Sequence, residues 1–273
     1  MATVTTDNAE TNAVRPPFVL LDLDGVVWLA HQPIPGSVEA IAALRAAGVR
    51  VLFVTNNSAA RLAEQEQALA RIGVPAEGDV LTSALAAALL VEPGETVHVC
   101  GGPGVVEALE NRGARVSNDD PCTAVVVGMN RRFDYDALRA AAGAVRSGAR
   151  LIGTNDDATY PTPDGPIPGG GAILAAVSVA AGVTPTVAGK PHEPMASLVR
   201  QRVGDGPARA AVMVGDRPET DGLFARRLGC RYAQVWSGVT SPTATVEPTP
   251  DLTGADLASV VAQLLSLQHL EHR

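Results

Sequence analysis

Phe18-Val19-Leu20-Leu21-Asp22-Leu23-Asp24-Gly25 opens on four consecutive apolar residues and closes on two acids and a glycine. A strand with one wet face alternates apolar and polar residues. A run that is apolar throughout fits a central strand covered on both sides, as in a parallel sheet. The acids then stand beyond the carboxyl end of that strand, where open parallel sheets bind their ligands. Alone, Asp-x-Asp-Gly also suits a helix cap or a turn, so its meaning rests on what accompanies it.

Working outward, short branched-apolar runs alternate with helix-period segments, which predicts an α/β fold with parallel strands. Val51 to Val54, Val97 to Cys100, Ala124 to Val127, Leu151-Ile152, Thr186 to Ala188, Ala211 to Val214 and Tyr232 to Trp236 read as strands. Ser37 to Ala47, Ala59 to Ile72, Val105 to Asn111, Asp136 to Arg146, Glu193 to Val203, Thr220 to Leu228 and Ala255 to Leu265 read as helices, with a further Ala/Val helix after Gly169-Gly170-Gly171.

Three other polar clusters share the placement of Asp22 and Asp24. Thr55-Asn56-Asn57-Ser58 follows the second strand and offers a hydroxyl and backbone N–H groups suited to phosphate oxygens. Gly189-Lys190-Pro191 follows Thr186 to Ala188 and supplies a cation. Gly215-Asp216-Arg217-Pro218-Glu219-Thr220-Asp221 adds carboxylates after another strand. Mg²⁺ prefers oxygen ligands and keeps several waters, so a few carboxylates and a substrate phosphate would satisfy it.

Composition narrows the field. The chain has 273 residues, 46% of them hydrophobic and 18% charged, an ordinary globular balance. Its net charge of −8 argues against a nucleic-acid partner. The longest apolar stretch, Ala84 to Val91, is far short of the roughly 20 residues of a membrane span. Cys100, Cys122 and Cys230 are odd in number and widely spaced, which fits a reduced, cytoplasmic setting. The polar, Thr/Asn-rich segment 1–17 reads as a disordered leader.

The ordered set Asp-x-Asp-Gly, Thr, Lys and Gly-Asp-x-x-x-x-Asp resembles the haloacid dehalogenase-like hydrolase superfamily. Asp22-Leu23-Asp24-Gly25-Val26-Val27-Trp28, Val54 to Ser58 and Ala188-Gly189-Lys190-Pro191 are similar to its 4-nitrophenylphosphatase branch, with phosphoglycolate and glycerol-3-phosphate phosphatases. The resemblance implies a Rossmann-like core, 18–83 and 184–273, with an α/β cap domain inserted at 84–183. It implies a Mg²⁺-dependent phosphatase of small metabolites. Asp22 would be the nucleophile and a metal ligand. Asp24 would be the general acid/base, with its backbone carbonyl on the metal. Thr55, Asn56 and Lys190 would bind phosphate, Asp216 would ligate the metal and Asp221 would support it. Caps of this branch often form dimer contacts, so a homodimer through the cap is a further expectation.

The weaker signals have bland readings. Asn155 and Asp157, in a Thr-Asn-x-Asp signature, suit a structural turn better than a substrate contact. Arg131 and Arg132 suit solvent, His192 either the site or an exposed loop, and Trp28 a place between core and cap. Two rival functions share the pattern. A haloacid dehalogenase needs neither metal nor an acid two residues after the nucleophile, so Asp24 and Asp216 argue against it. A non-catalytic phosphate-binding or sensing protein would normally lack one of the catalytic groups, and none is missing.

Overall fold

The structure, a computed structural model, describes residues 16–118, 121–162 and 164–266. Of the expected leader, only Pro16 and Pro17 fall among them. The chain lays down three strands, β1 (Phe18–Leu21), β2 (Arg50–Thr55) and β3 (Val80–Thr82). Five follow: β4 (Thr96–Cys100), β5 (Arg115–Val116), β6 (Ala124–Val127), β7 (Arg150–Gly153) and β8 (Thr186–Val187). It then returns for β9 (Val212–Gly215), β10 (Arg231–Val235) and β11 (Leu252–Gly254). The first and last groups share one parallel sheet in the order β11-β10-β9-β1-β2-β3. The middle group forms a second parallel sheet, β8-β7-β6-β4-β5. This is a Rossmann-like core carrying an inserted α/β cap.

The strand order reverses between β1 and β9, so a crevice opens there at the carboxyl ends. Asp22 and Asp24 follow β1, and Asp216 follows β9. The all-apolar runs are explained by burial on both faces. Leu20, Leu52 and Met213 face one cluster, while Val19, Leu21, Phe53 and Val214 face the other. Helices Ser37–Ala46, Leu62–Arg71 and Leu257–Ser266 supply Ile41, Leu44, Leu69 and Val260 to the second cluster.

The first cluster does not stop at the core. Helix Ser83–Ala88 packs against Pro103–Asn111 of the cap and Glu193–Val203 of the core. Its buried alanines join Leu20 and Met213 to Val97, Val126 and Ile152 of the second sheet. Alanine is the only common side chain small enough to let three elements meet this closely while keeping helix propensity. The far face of the second sheet has its own cluster, with Val125, Val127, Leu151, Leu174 and Val177.

One boundary differs from expectation. Thr186–Val187, assigned to the core from sequence, pairs with β7, Thr186 opposite Ile152 and Val187 opposite Gly153. Gly182, in the left-handed region at φ 75°, ends helix Gly170–Ala181 and turns the chain back onto the open edge of the second sheet. A two-residue apolar strand does not announce which of two sheets it joins. The segment expected to be one helix from Thr220 begins instead as a wide turn of π-helix, Pro218–Gly222, before helix Leu223–Leu228. Among the described residues, no helix is long and apolar enough to cross a membrane.

Leu20 is fully buried in the central strand. Leu20→Ala is expected to lower the unfolding free energy by roughly 2–5 kcal/mol through lost burial and the cavity left behind. A lower urea midpoint with an unchanged slope is the result to look for.

Candidate active site

Four buried charged groups meet at the crevice. The Lys190 ammonium lies 2.8 Å from Asp22 Oδ1 and 2.7 Å from Asp221 Oδ1, with Lys190 only 1% exposed. Asp22, Asp216 and Asp221 each bring a carboxylate oxygen within 4.8 Å of the others. Burial pulls the Lys190 ammonium down, but Asp22 and Asp221 outweigh it and hold the group above its ordinary value. Burial pushes the Asp216 carboxyl up, and the Asp22 charge adds to it. Burial also raises Asp221, and the Lys190 charge opposes that rise.

Three acids against one lysine leave negative charge in excess in a place with little water. Asp216 Oδ2 accepts the Val239 N–H at 2.7 Å, while Asp216 Oδ1 is buried with no hydrogen-bond partner among the described residues. An unpaired buried carboxylate oxygen is costly. A hard divalent cation would relieve both the excess charge and the orphaned oxygen, so the donor set fits one. The backbone is shaped around Asp216 as well. Gly25 has φ +86°, and a Cβ there would stand 2.5 Å from Asp216 Oδ2. At Gly238 it would stand 1.9 Å from the same atom.

The Asp22–Asp24 stretch is a tight loop. The Asp22 N–H donates to the Val214 carbonyl at 3.0 Å, fixing the acid to β9. Val27 and Trp28 both donate to the Leu23 carbonyl, at 2.9 and 3.1 Å. The chain continues into an antiparallel ribbon, Trp28–Leu29 with Gln32–Pro33, whose turn holds Ala30 and His31 in the left-handed region. Sequence reading missed it, because no glycine marks the turn. Trp28 packs into the core cluster and stands edge-on to His31 at 4.8 Å. Burial, then the Asp22 charge, pushes the Asp24 carboxyl up to about 7.

Thr55 and Lys190 line the same cleft as Asp22 and Asp24. Thr55 Oγ1 accepts the Asn57 N–H at 3.0 Å and keeps its own proton to donate. The Asn56 side chain is taken up by Lys190 and the cap. Its Oδ1 accepts the Lys190 N–H at 2.8 Å, and its Nδ2 donates to the Lys190 carbonyl and to Asp157 Oδ2, both at 3.0 Å. The amide thus holds the lysine's backbone as a neighbouring strand would. Only its backbone N–H is left for a ligand.

Lys190 reaches Asp22 from β8, in the cap sheet, through the segment that returns to the core before helix Glu193–Val203. Asn155 and Asp157 build a turn, Asp157 N–H to Asn155 Oδ1 at 3.2 Å. That turn is tied to the core by Asn155 Nδ2 to the Asn56 carbonyl at 2.8 Å. Both residues also line the cleft, with Arg217 and Tyr160. His192 pairs with Asp156 at 2.9 Å, and Arg131 and Arg132 are exposed. Sequence reading passed over Tyr160, Asn57 and Arg217. Asn57 and Arg217 stand within the core motifs quoted above but were given no role, and Tyr160 is brought to the cleft by the docking of the cap.

Removing the Lys190 ammonium from between these acids has a signed consequence. Asp216 and Asp221 hold their protons above the ordinary carboxylate range, near pH 4 in an unfolded chain. Stability from these two groups therefore falls as pH rises past the unfolded value, most steeply when Lys190 is absent. Lys190→Met in EDTA is expected to cost roughly 3–5 kcal/mol near pH 8, and clearly less near pH 5. Equal losses by urea unfolding at both pH values would contradict this charge balance.

Comparison with known proteins agrees with this geometry. Residues 19–115 match the model of haloacid dehalogenase-like hydrolases, and residues 187–260 match a HAD-hydrolase-like model. The acid sugar phosphatase of Staphylococcus saprophyticus is 35% identical over 251 residues, covering 90% of this chain and 96% of its own. The D-glycerol 3-phosphate phosphatase of Mycobacterium tuberculosis is 38% identical over 257 residues, covering 89% of this chain and 70% of its own. A crystal structure of the M. tuberculosis glycerol phosphate phosphatase in complex with magnesium superposes with a TM-score of 0.83 at 36% identity, over 91% of this chain and 77% of that one. The p-nitrophenyl phosphatase of Archaeoglobus fulgidus gives 0.83 at 28% identity, over 92% and 100%. The chain belongs to the haloacid dehalogenase-like hydrolase family, in the branch whose named members are phosphatases.

Proposed function

We propose that this chain hydrolyses small-molecule phosphate monoesters through a phosphorylated Asp22. The single observation that carries the reading is the buried Asp22–Lys190–Asp221 arrangement at the strand-order reversal, with Asp216 beside it and Asp24 at its mouth.

Asp22 attacks phosphorus with a carboxylate oxygen as the bond from phosphorus to the ester oxygen breaks. Asp24 gives its proton to that departing oxygen, then takes one from the water that attacks the aspartyl-phosphate. Inorganic phosphate leaves and the Asp22 carboxylate is restored. A carboxyl pushed up to about 7 is suited to both halves of this exchange near neutral pH. Splitting the reaction through a covalent intermediate replaces one hard displacement by two easier ones. Lys190 and the Thr55 hydroxyl face the transferring group, whose spread negative charge makes positioned donors the main source of rate.

Mg²⁺ would be held by Asp22, Asp216 and the Asp24 carbonyl, with Asp221 in support, and would supply positive charge against the phosphoryl oxygens. The cleft encloses about 50 Å³ and is lined by Asn57, Asp157, Tyr160 and Arg217. That polar wall under a docked cap favours a small hydroxylated phosphate ester, such as glycerol phosphate or a sugar phosphate, over a protein substrate.

Phosphate release from 4-nitrophenyl phosphate tests the reading. Turnover is expected with Mg²⁺, lost in EDTA, restored by added Mg²⁺, and lowered by at least about 10³-fold in Asp22→Asn. Folded protein inert towards this ester and towards a panel of small phosphates would instead favour a phosphate-binding role.

A further inference from the structure

Asp24 is held from the cap. Tyr160, in the ribbon Thr159–Tyr160 with Ile167–Pro168, places its hydroxyl 3.4 Å from Asp24 Oδ1, across 136 positions of sequence. The direction of this hydrogen bond is set by Asn57. The Ala59 N–H donates to Asn57 Oδ1 at 3.0 Å, which orients the Asn57 amide and turns its Nδ2 towards Tyr160. That Nδ2 donates to the Tyr160 oxygen at 3.5 Å. A phenol has one proton, and with a donor already pointing at its oxygen, that proton is directed to Asp24. Asn57 is itself rigid: its N–H donates to Thr55 Oγ1 at 3.0 Å, and its carbonyl accepts from Gln65 Nε2 at 3.2 Å.

We propose that Tyr160 is a positioning residue for Asp24, engaging Oδ1 so that Oδ2 is the atom presented to the departing ester oxygen. The reading rests on Asp24 being the acid of the proposed reaction. Since Tyr160 belongs to the cap and Asn57 to the core, the acid is fully aimed only while the two are docked. Burial, with the Asp24 carboxyl beside it, holds the phenol above its ordinary value, so it remains a donor across the working range.

Two substrates with different leaving groups separate this role from a structural one. Glycerol 3-phosphate releases an alkoxide that needs a proton, whereas 4-nitrophenyl phosphate releases a phenolate stable enough to leave without one. Tyr160→Phe keeps the ring and removes the hydroxyl. It is expected to lower kcat/KM for the alkyl ester by roughly ten-fold, in line with the cost of misaiming a catalytic group. The aryl ester should change by less than about two-fold. Asp24→Asn should show the same split, more deeply. Equal losses on both esters, or none, in Tyr160→Phe would overturn the proposal. A missing split in Asp24→Asn would instead overturn the reading of Asp24 as the acid. Should Tyr160→Phe fail to fold, Asn57→Ala frees the phenol to rotate and must show a split in the same direction for the proposal to stand.

Discussion

A single ammonium group, Lys190 Nζ, sits between two carboxylates where almost no water reaches. Taken separately, each of these charges would be expensive to bury. Together they are tolerated because each is the other's solvent. The compensation is incomplete, since Asp216 adds a third acid and leaves one oxygen without a partner among the described residues. The rest of the molecule can be understood as what keeps four such groups in one place.

Three parts of the chain bring them there. β1 delivers Asp22 and β9 delivers Asp216 across the reversal of strand order, while Lys190 arrives from the returning edge of the cap sheet. Asn56 fastens the lysine's backbone at both its N–H and its carbonyl, and reaches Asp157 with the same amide. The packing agrees with the polar network. An apolar cluster passes from the core sheet through helix Ser83–Ala88 into the cap sheet without a break. The charged site and the docked cap thus rest on one shared apolar cluster.

What the sequence disclosed and what it withheld divide along a physical line. Asp22, Asp24, Thr55 and Asp216 were legible because each stands at or just beyond the carboxyl end of a strand whose apolar run is unmistakable, and that end fixes where the next residues stand. Lys190 was found by its motif, yet its preceding strand was assigned to the wrong sheet, since Thr186–Val187 is too short for its pattern to choose a partner. The job of the Asn56 side chain was out of reach for another reason. The backbone it grips lies 134 residues away, and nothing local in the sequence marks that partner. The link from Asn57 to Tyr160 was invisible for the same cause: a hydrogen bond between distant loops leaves no periodicity.

The Asn56 carbonyl ends as an anchoring point for the outgoing crossing of the chain and for a cap loop. It accepts Ser83 Oγ at 2.7 Å, where the chain leaves the core, and Asn155 Nδ2 at 2.8 Å, in the cap loop that faces the core. An engineer wishing to exchange this cap for another would have to bring in matching donors at both places. A transplant lacking the hydroxyl or the amide would leave a half-buried acceptor bare beside Thr55. The modularity suggested by an inserted unit is therefore conditional: its outgoing neck and its core-facing loop are both fastened to the phosphate loop.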